Sequence, residues 1–133
     1  MAVQLSVAVR NGRLDQVESV TGTSAILRIR TGAAPADCAA ADTGTVLVTI
    51  TCPADYMNAA SGGTKTKLGT WQDTSADATG TAAHFRLYDS AGTTAHFQGT
   101  VGQGSGDLSL DNTSIVSGQT VTINTFTLTD GNA

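Results

Sequence analysis

Residues 82–101 run AAHFRLY, then DSAG, then TTAHFQGTV, a pattern that two antiparallel strands around a tight connector satisfy. A short loop holding Gly92 closes such a hairpin either as a four-residue turn or as a three-residue turn with a bulge. In the bulged register Phe85 faces Phe97 and Leu87 faces Ala95. That register predicts aromatic anchors in the core and places His84, Arg86, His96 and Gln98 together on the opposite face.

The rest of the chain offers the partners this hairpin needs. Residues 24–30 (SAILRIR) set Ala25, Leu27 and Ile29 against Ile26, Arg28 and Arg30, a half-buried strand with a cationic outer face. Residues 45–52 (TVLVTITC) form a dense β-branched strand with Val46, Val48 and Ile50 on one face. Residues 53–63 leave room for one helical turn carrying Tyr56 and Met57, and residues 65–73 read as a strand carrying Leu68 and Trp71, with Trp71 in the core. Leu108 and Leu110 mark a short strand after a flexible Gly102–Gly106 turn. In residues 120–129 (TVTINTFTLT), Val121 and Ile123 hold one phase and Phe126 and Leu128 the other. The slip at Asn124–Thr125 is the mark of a β-bulge, which bends a strand.

The opening segment fits two periods. Val3, Leu5, Val7 and Val9 alternate as in a strand, whereas Val7, Arg10, Leu14, Val17 and then Val20 or Thr21 follow a helix, with Ser6 as N-cap. The longer stripe favours a helix over residues 6–20, closed by Thr21-Gly22-Thr23, with Gly12 as an internal cost. Six or seven strands with turn signals between them predict a mainly β chain: a single-domain antiparallel β-sandwich or jelly-roll-like barrel with a short N-terminal helix. Residues 1–22 form a helical or arm segment and residues 23–133 the β domain, one structural domain overall. The polar tail DGNA is expected to fray.

Composition narrows the function classes. Of 133 residues 14% are charged, against the roughly 25% of ordinary domains, and Thr, Ala, Gly and Ser fill the difference. A net charge of -4 disfavours nucleic acid, whose phosphates call for clustered Lys and Arg. No apolar run reaches the roughly 18 residues of a membrane helix, and MAVQLSVAVRNGR lacks the pattern of a signal peptide, so folding in a cytoplasm is expected, with Cys38 and Cys52 reduced.

Each chemical motif has a plainer explanation beside it. His84 and His96, on one hairpin face, are two imidazoles where a catalytic zinc takes three protein ligands. Ser105, between Gly104 and Gly106, lacks the strand-to-helix elbow of a nucleophilic serine, and Ser90 is a turn residue. Gly102, Gly104 and Gly106 precede a strand, so no helix N-terminus is there to receive phosphate; residues 62–66 (GGTKT) lack the spacing of a phosphate loop. The ten Asp residues do not follow calcium-loop spacing and read as surface solubility. Trp71, Tyr56 and Tyr88 are the whole Trp/Tyr supply for a carbohydrate-binding platform. No catalytic, cofactor-binding or metal residue is assigned, and no cofactor or enzymatic activity is expected.

The chain as a whole resembles short structural proteins of tailed-bacteriophage virions. The resemblance lies in VAVRNGRLDQVES, in GTSAILRIRTGAAPADCAAADTGTVLVTI, in ASGGTKTKLGTWQDTSADATGTAAHFRLYDSAGTTAHFQGTV and in DNTSIVSGQTVTINTFTLTDGNA. It implies a capsid decoration or cement protein that binds the major capsid protein on the outer head surface, as a dimer or trimer, without nucleic acid or membrane. Assembly would take place in the host bacterial cytoplasm. A tail or fibre component is the alternative within the virion, and a carbohydrate-binding β-sandwich module the alternative from another class. The segment over residues 7–20 and the Ala-rich loop 31–44 are the candidate contact elements; each can instead pack on the chain's own β domain.

Overall fold

The computed structural model describes residues 3–130. Helix α1 (Val7–Thr21) begins where Ser6, in extended backbone, accepts the Val9 N–H on its side chain at 3.2 Å, and it ends at Gly22, whose φ of 83° a side chain would resist. The strands are β1 (Ile26–Arg30), β2 (Val46–Thr51), β3 (Thr64–Thr66), β4 (Gln72–Asp73), β5 (Gly80–Thr81), β6 (His84–Tyr88), β7 (Ala95–Gln103), β8 (Leu108–Leu110), β9 (Ser114–Ile115) and β10 (Val121–Thr129). Eight of them make one curled sheet in the order β2-β1-β6-β7-β8-β10-β3, with β4 also on β10; β5 and β9 pair separately. The sheet closes into a half-barrel, so the β-sandwich or barrel class holds.

Ala25, Leu27 and Ile29 are fully buried on the inner face, as their alternation requires. Around them pack Leu47, Ile50, Met57, Phe85, Leu87, Leu108, Ile123 and Phe126, with Trp71 at the centre. Trp71 tilts against Tyr56 and Phe126 at 5.8 and 5.7 Å and donates its indole N–H towards the Tyr56 and Leu68 carbonyls. The β10 ladder slips between Ile123 and Thr125, and this bulge turns both Ile123 and Phe126 inward.

Several expectations change. The hairpin bulge lies between Leu87 and Tyr88, so Leu87 faces Phe97 and Phe85 faces Gly99, two residues away from the expected register. Phe85 still meets Phe97 edge-on along the diagonal, at 6.1 Å. Residues 53–63 form no helical turn: Tyr56 and Met57 are buried in irregular chain, and Met57 bridges Lys67. The single strand expected over residues 65–73 is two, β3 and β4, separated by a bend that brings Trp71 inward and lets both pair with β10.

The sheet is not wholly antiparallel. β7 and β8 are parallel, joined by only four residues, where parallel neighbours ordinarily need a long crossover. Gly102, Gly104 and Gly106 permit this tight wind. A Cβ on Gly106, at φ 80°, would lie 2.9 Å from the Gly102 nitrogen, and one on Gly102 would lie 2.5 Å from the Ser105 carbonyl oxygen. The turn expected to be flexible is tightly packed at Gly102 and Gly106, while Gly104 faces open space. Of the tail, Asp130 is held by Gly63 and Arg13, and Gly131–Ala133 lie outside the described residues.

Candidate functional site

Helix α1 docks on the chain's own β domain, chiefly through polar contacts. Lys65, 2% exposed, places its ammonium 2.8 Å from both Asp15 and Glu18, one turn apart on the helix, and 2.9 Å from the Asn58 carbonyl oxygen. Burial alone would lower the Lys65 pKa, but the hydrogen bonds and charges of the two acids outweigh it and raise it. Asn11 accepts the Gly63 N–H at 2.9 Å, and Thr21 hydrogen-bonds the buried Tyr56 hydroxyl. Leu14 and Thr21 are buried, whereas Val7 and Val20 of the expected apolar stripe are exposed.

Residues 31–44 lie as a strap across the outer face of β1, β6 and β7. Cross-strand pairing sets Arg28 against Arg86, a like-charge arrangement that destabilises unless neutralised, and Arg30 against His84. Asp42 neutralises it by taking Arg86 and the Tyr88 hydroxyl (2.7 Å) on one oxygen and Arg30 (3.1 Å) on the other. Arg86, 2% exposed, also donates to the carbonyls of Asp37, Cys38 and Ala40 at 3.2, 3.0 and 3.1 Å. Gln98 donates to the Pro35 carbonyl at 2.7 Å, and His84 Nδ1 donates to that of Gly32 at 2.7 Å. Partial burial pushes the Asp42 pKa up, but the hydrogen bonds from Tyr88 and Arg86, with the charges of both arginines, hold it below the usual carboxylate value. The expected cationic outer face is therefore covered, and the loop nominated for an external contact is folded on its own sheet.

The two histidines part company. His84 is buried under the strap, while His96, beside the hairpin bulge, lines a groove with Phe97 and α1. No cluster of three or more metal-ligating side chains occurs among the described residues. Cys38 and Cys52 are free thiols, and burial pushes Cys52 up to about 12, where it is inert at neutral pH. The aspartates hold backbone and strap in place: Asp37 accepts the N–H groups of Ala39 and Ala40, Asp73 those of Thr49 and Ser75, Asp89 that of Thr93 and Asp107 that of Thr100. Surface solubility, the expected role, understates them. Trp71, Tyr56 and Tyr88 are all buried, so none forms an external sugar platform. Ser90 donates to the Thr21 and Thr23 carbonyls, tying the hairpin tip to the end of α1.

The concave feature that the sequence did not reveal runs between α1, β7 and β10. A cavity of about 340 Å³ is lined by Leu14, Val17, Val20, His96, Phe97 and Leu128. A second, of about 390 Å³, continues it along Phe85, Phe97, Asp107 and Phe126. Phe97 and Phe126 stack at 5.6 Å on its floor. The hollow is mostly apolar along its first part and mixed along its second, with Thr127 and Thr129 on its wall. No helix among the described residues is long and apolar enough to cross a membrane. Comparison with protein-family models, with curated proteins and with solved structures finds no match to this chain.

Proposed function

We propose that this chain is a structural protein of a tailed-bacteriophage virion, a decoration protein that binds the major capsid protein on the outer head surface and stabilises the lattice. The observation that supports a binding role over a catalytic one is the use made of the reactive side chains. Asp15, Glu18, Asp42, Lys65, Arg30, Arg86 and His84 are spent on holding helix and strap to the sheet. What is left outside is rich in Thr, Ala, Ser and Gly, with exposed Val7, Val9, Val20 and Val116 and one apolar groove, a surface that can lie against a large neighbour at small desolvation cost. Together with the resemblance in sequence, this favours a protein that works by contact. A decoration protein stabilises the assembled shell by mass action, and repetition over a symmetric lattice adds avidity.

Purified protein added to heads assembled without it is expected to bind saturably and to raise their melting temperature. Failure to bind any shell overturns the reading. Gold labelling of virions on the tail instead of the head would replace it with the tail-component alternative.

A further inference from the structure

The strap over residues 31–44 is built as a cover that can lift. Its two ends are clamped together beside the sheet: the Thr31 N–H donates to the Thr45 carbonyl at 3.1 Å, and the Thr45 N–H donates to the Thr31 hydroxyl at 2.9 Å. Gly32 and Gly44, at φ 76° and 74°, turn the chain away from the strands and back again. A loop closed at its base in this way can swing without disturbing the ladder beneath it. Pro35 is the one buried residue of the strap, so little apolar surface holds it down. The fastening is polar, through Arg30, His84, Arg86, Tyr88 and Gln98.

Of these side chains, an imidazole is the one whose charge changes near neutral pH in water. His84 is 1% exposed, and its Nδ1 lies 2.7 Å from the Gly32 carbonyl, an oxygen that only accepts, so Nδ1 carries the hydrogen. Its Nε2 is buried with no hydrogen-bond partner among the described residues, which suits the lone pair of a neutral ring. A second proton would create a buried N–H with no acceptor. It would also add a cation to a crowded face. On β1, Arg30 stands opposite His84 with its own Nε unpartnered, and on β6, Arg86 lies two residues along on the same face. On β7, the residue opposite is the uncharged Thr100. The carboxylates of the strap are committed, Asp42 to Arg30, Arg86 and Tyr88, and Asp37 to the N–H groups of Ala39 and Ala40. Asp107 is bound to the Thr100 N–H and hydroxyl, and Cys38 offers Arg86 its carbonyl.

We infer that the strap is an acid-released cover: a second proton on His84 lifts residues 31–44 from the sheet and uncovers Arg30 and Arg86 as a cationic face. In the lifted state the imidazolium and both guanidiniums are solvated, which removes the penalty that the closed state would carry. The working range is that of an imidazole, about pH 7 to 5. Asp42 stays ionised there, because it is held below the usual carboxylate value, so this release is distinct from the loss of the carboxylates in stronger acid. The inference stands apart from the capsid reading, since the switch lies within the chain.

Backbone nitrogen-15 relaxation of the full chain, at about pH 7.5 and again at about pH 5.5, tests it. Order parameters over residues 33–43 are expected to be about 0.85 at the higher pH and to fall reversibly to about 0.6 or lower in acid, while those of β6 and β10 stay unchanged. His84→Asn keeps a donor for the Gly32 carbonyl and takes no proton, so its strap is expected to remain ordered at both pH values. His96→Asn is expected to behave as the parent. A parent strap equally ordered at both pH values, a parent strap already loose at the higher one, or a His84→Asn strap that loosens only in acid overturns the inference. If His84→Asn does not fold, or is loose throughout, the parent decides alone: the His84 ring resonances and the strap amides are expected to shift with one midpoint, and separate midpoints overturn it.

Discussion

Asp42 shows how one side chain in a charge-poor protein can govern a whole face. Its carboxylate, 40% exposed, meets Arg30, Arg86 and Tyr88, and without it two arginines would lie under the strap with carbonyl partners alone. Asp42→Asn is expected to cost about 1–2 kcal/mol in urea unfolding, between the values for exposed and buried ion pairs, because the carboxylate is partly exposed and Arg86 keeps its three carbonyls. The sign of the pH effect follows from direction. Asp42 and Asp15 are both held below the usual value near 3.8 in the folded chain, so the unfolded chain binds more protons in that range. Their contribution is complete above about pH 5 and is lost as the pH falls through the folded values. The urea midpoint is expected to fall below about pH 4, and Asp42→Asn to flatten that fall. Gly106 answers to geometry instead of charge: Gly106→Ala, at φ 80° and against the Gly102 backbone, is expected to destabilise by more than about 1 kcal/mol in the same assay.

Among the elements, α1 separates local from imposed structure. Ser6 at its start and Gly22 at its end were legible as chain-local signals, and both occupy those positions. Ser6→Ala is expected to lower stability by about 1 kcal/mol. Gly12 is exposed within the helix with open space about its Cβ position, so Gly12→Ala is expected to raise stability by about 1 kcal/mol, read from the thermal midpoint. Which face of α1 is buried was not legible, because the stripe of valines suggested an apolar contact while Lys65, some fifty residues on, draws Asp15 and Glu18 inward. The β10 bulge was legible, since a phase slip in a two-residue period is visible without knowing the partner. The hairpin register was not, because a shift of two residues exchanges Phe97 for Gly99 opposite Phe85 with no change in the alternation.

At the scale of the molecule, the helix and the sheet share Lys65 and Tyr56, and the strap and the sheet share Asp42 and Arg86. Neither appendage is free to melt alone without stranding a buried polar group. Thermal unfolding is therefore expected to be one transition, with Trp71 fluorescence and far-ultraviolet circular dichroism coinciding; separate midpoints would show that α1 or the strap releases first. Of the candidate surfaces, the nominated helix and loop were legible as unusual segments, but their partner lies within the chain. The groove between α1, β7 and β10 carries no sequence signature, since it arises where distant elements come together.

Periodicity, caps and turn residues are properties of adjacent residues. They were enough to establish a mainly β chain with one N-terminal helix, a central hairpin, a bulged last strand and a buried Trp71. Pairing partners 40 to 70 residues apart obey no such local rule. The burial of Arg86 and Lys65, the parting of the two histidines and the open groove all depend on which distant groups meet. Those outcomes are settled by the need to neutralise every buried charge and to close every backbone edge that packing allows.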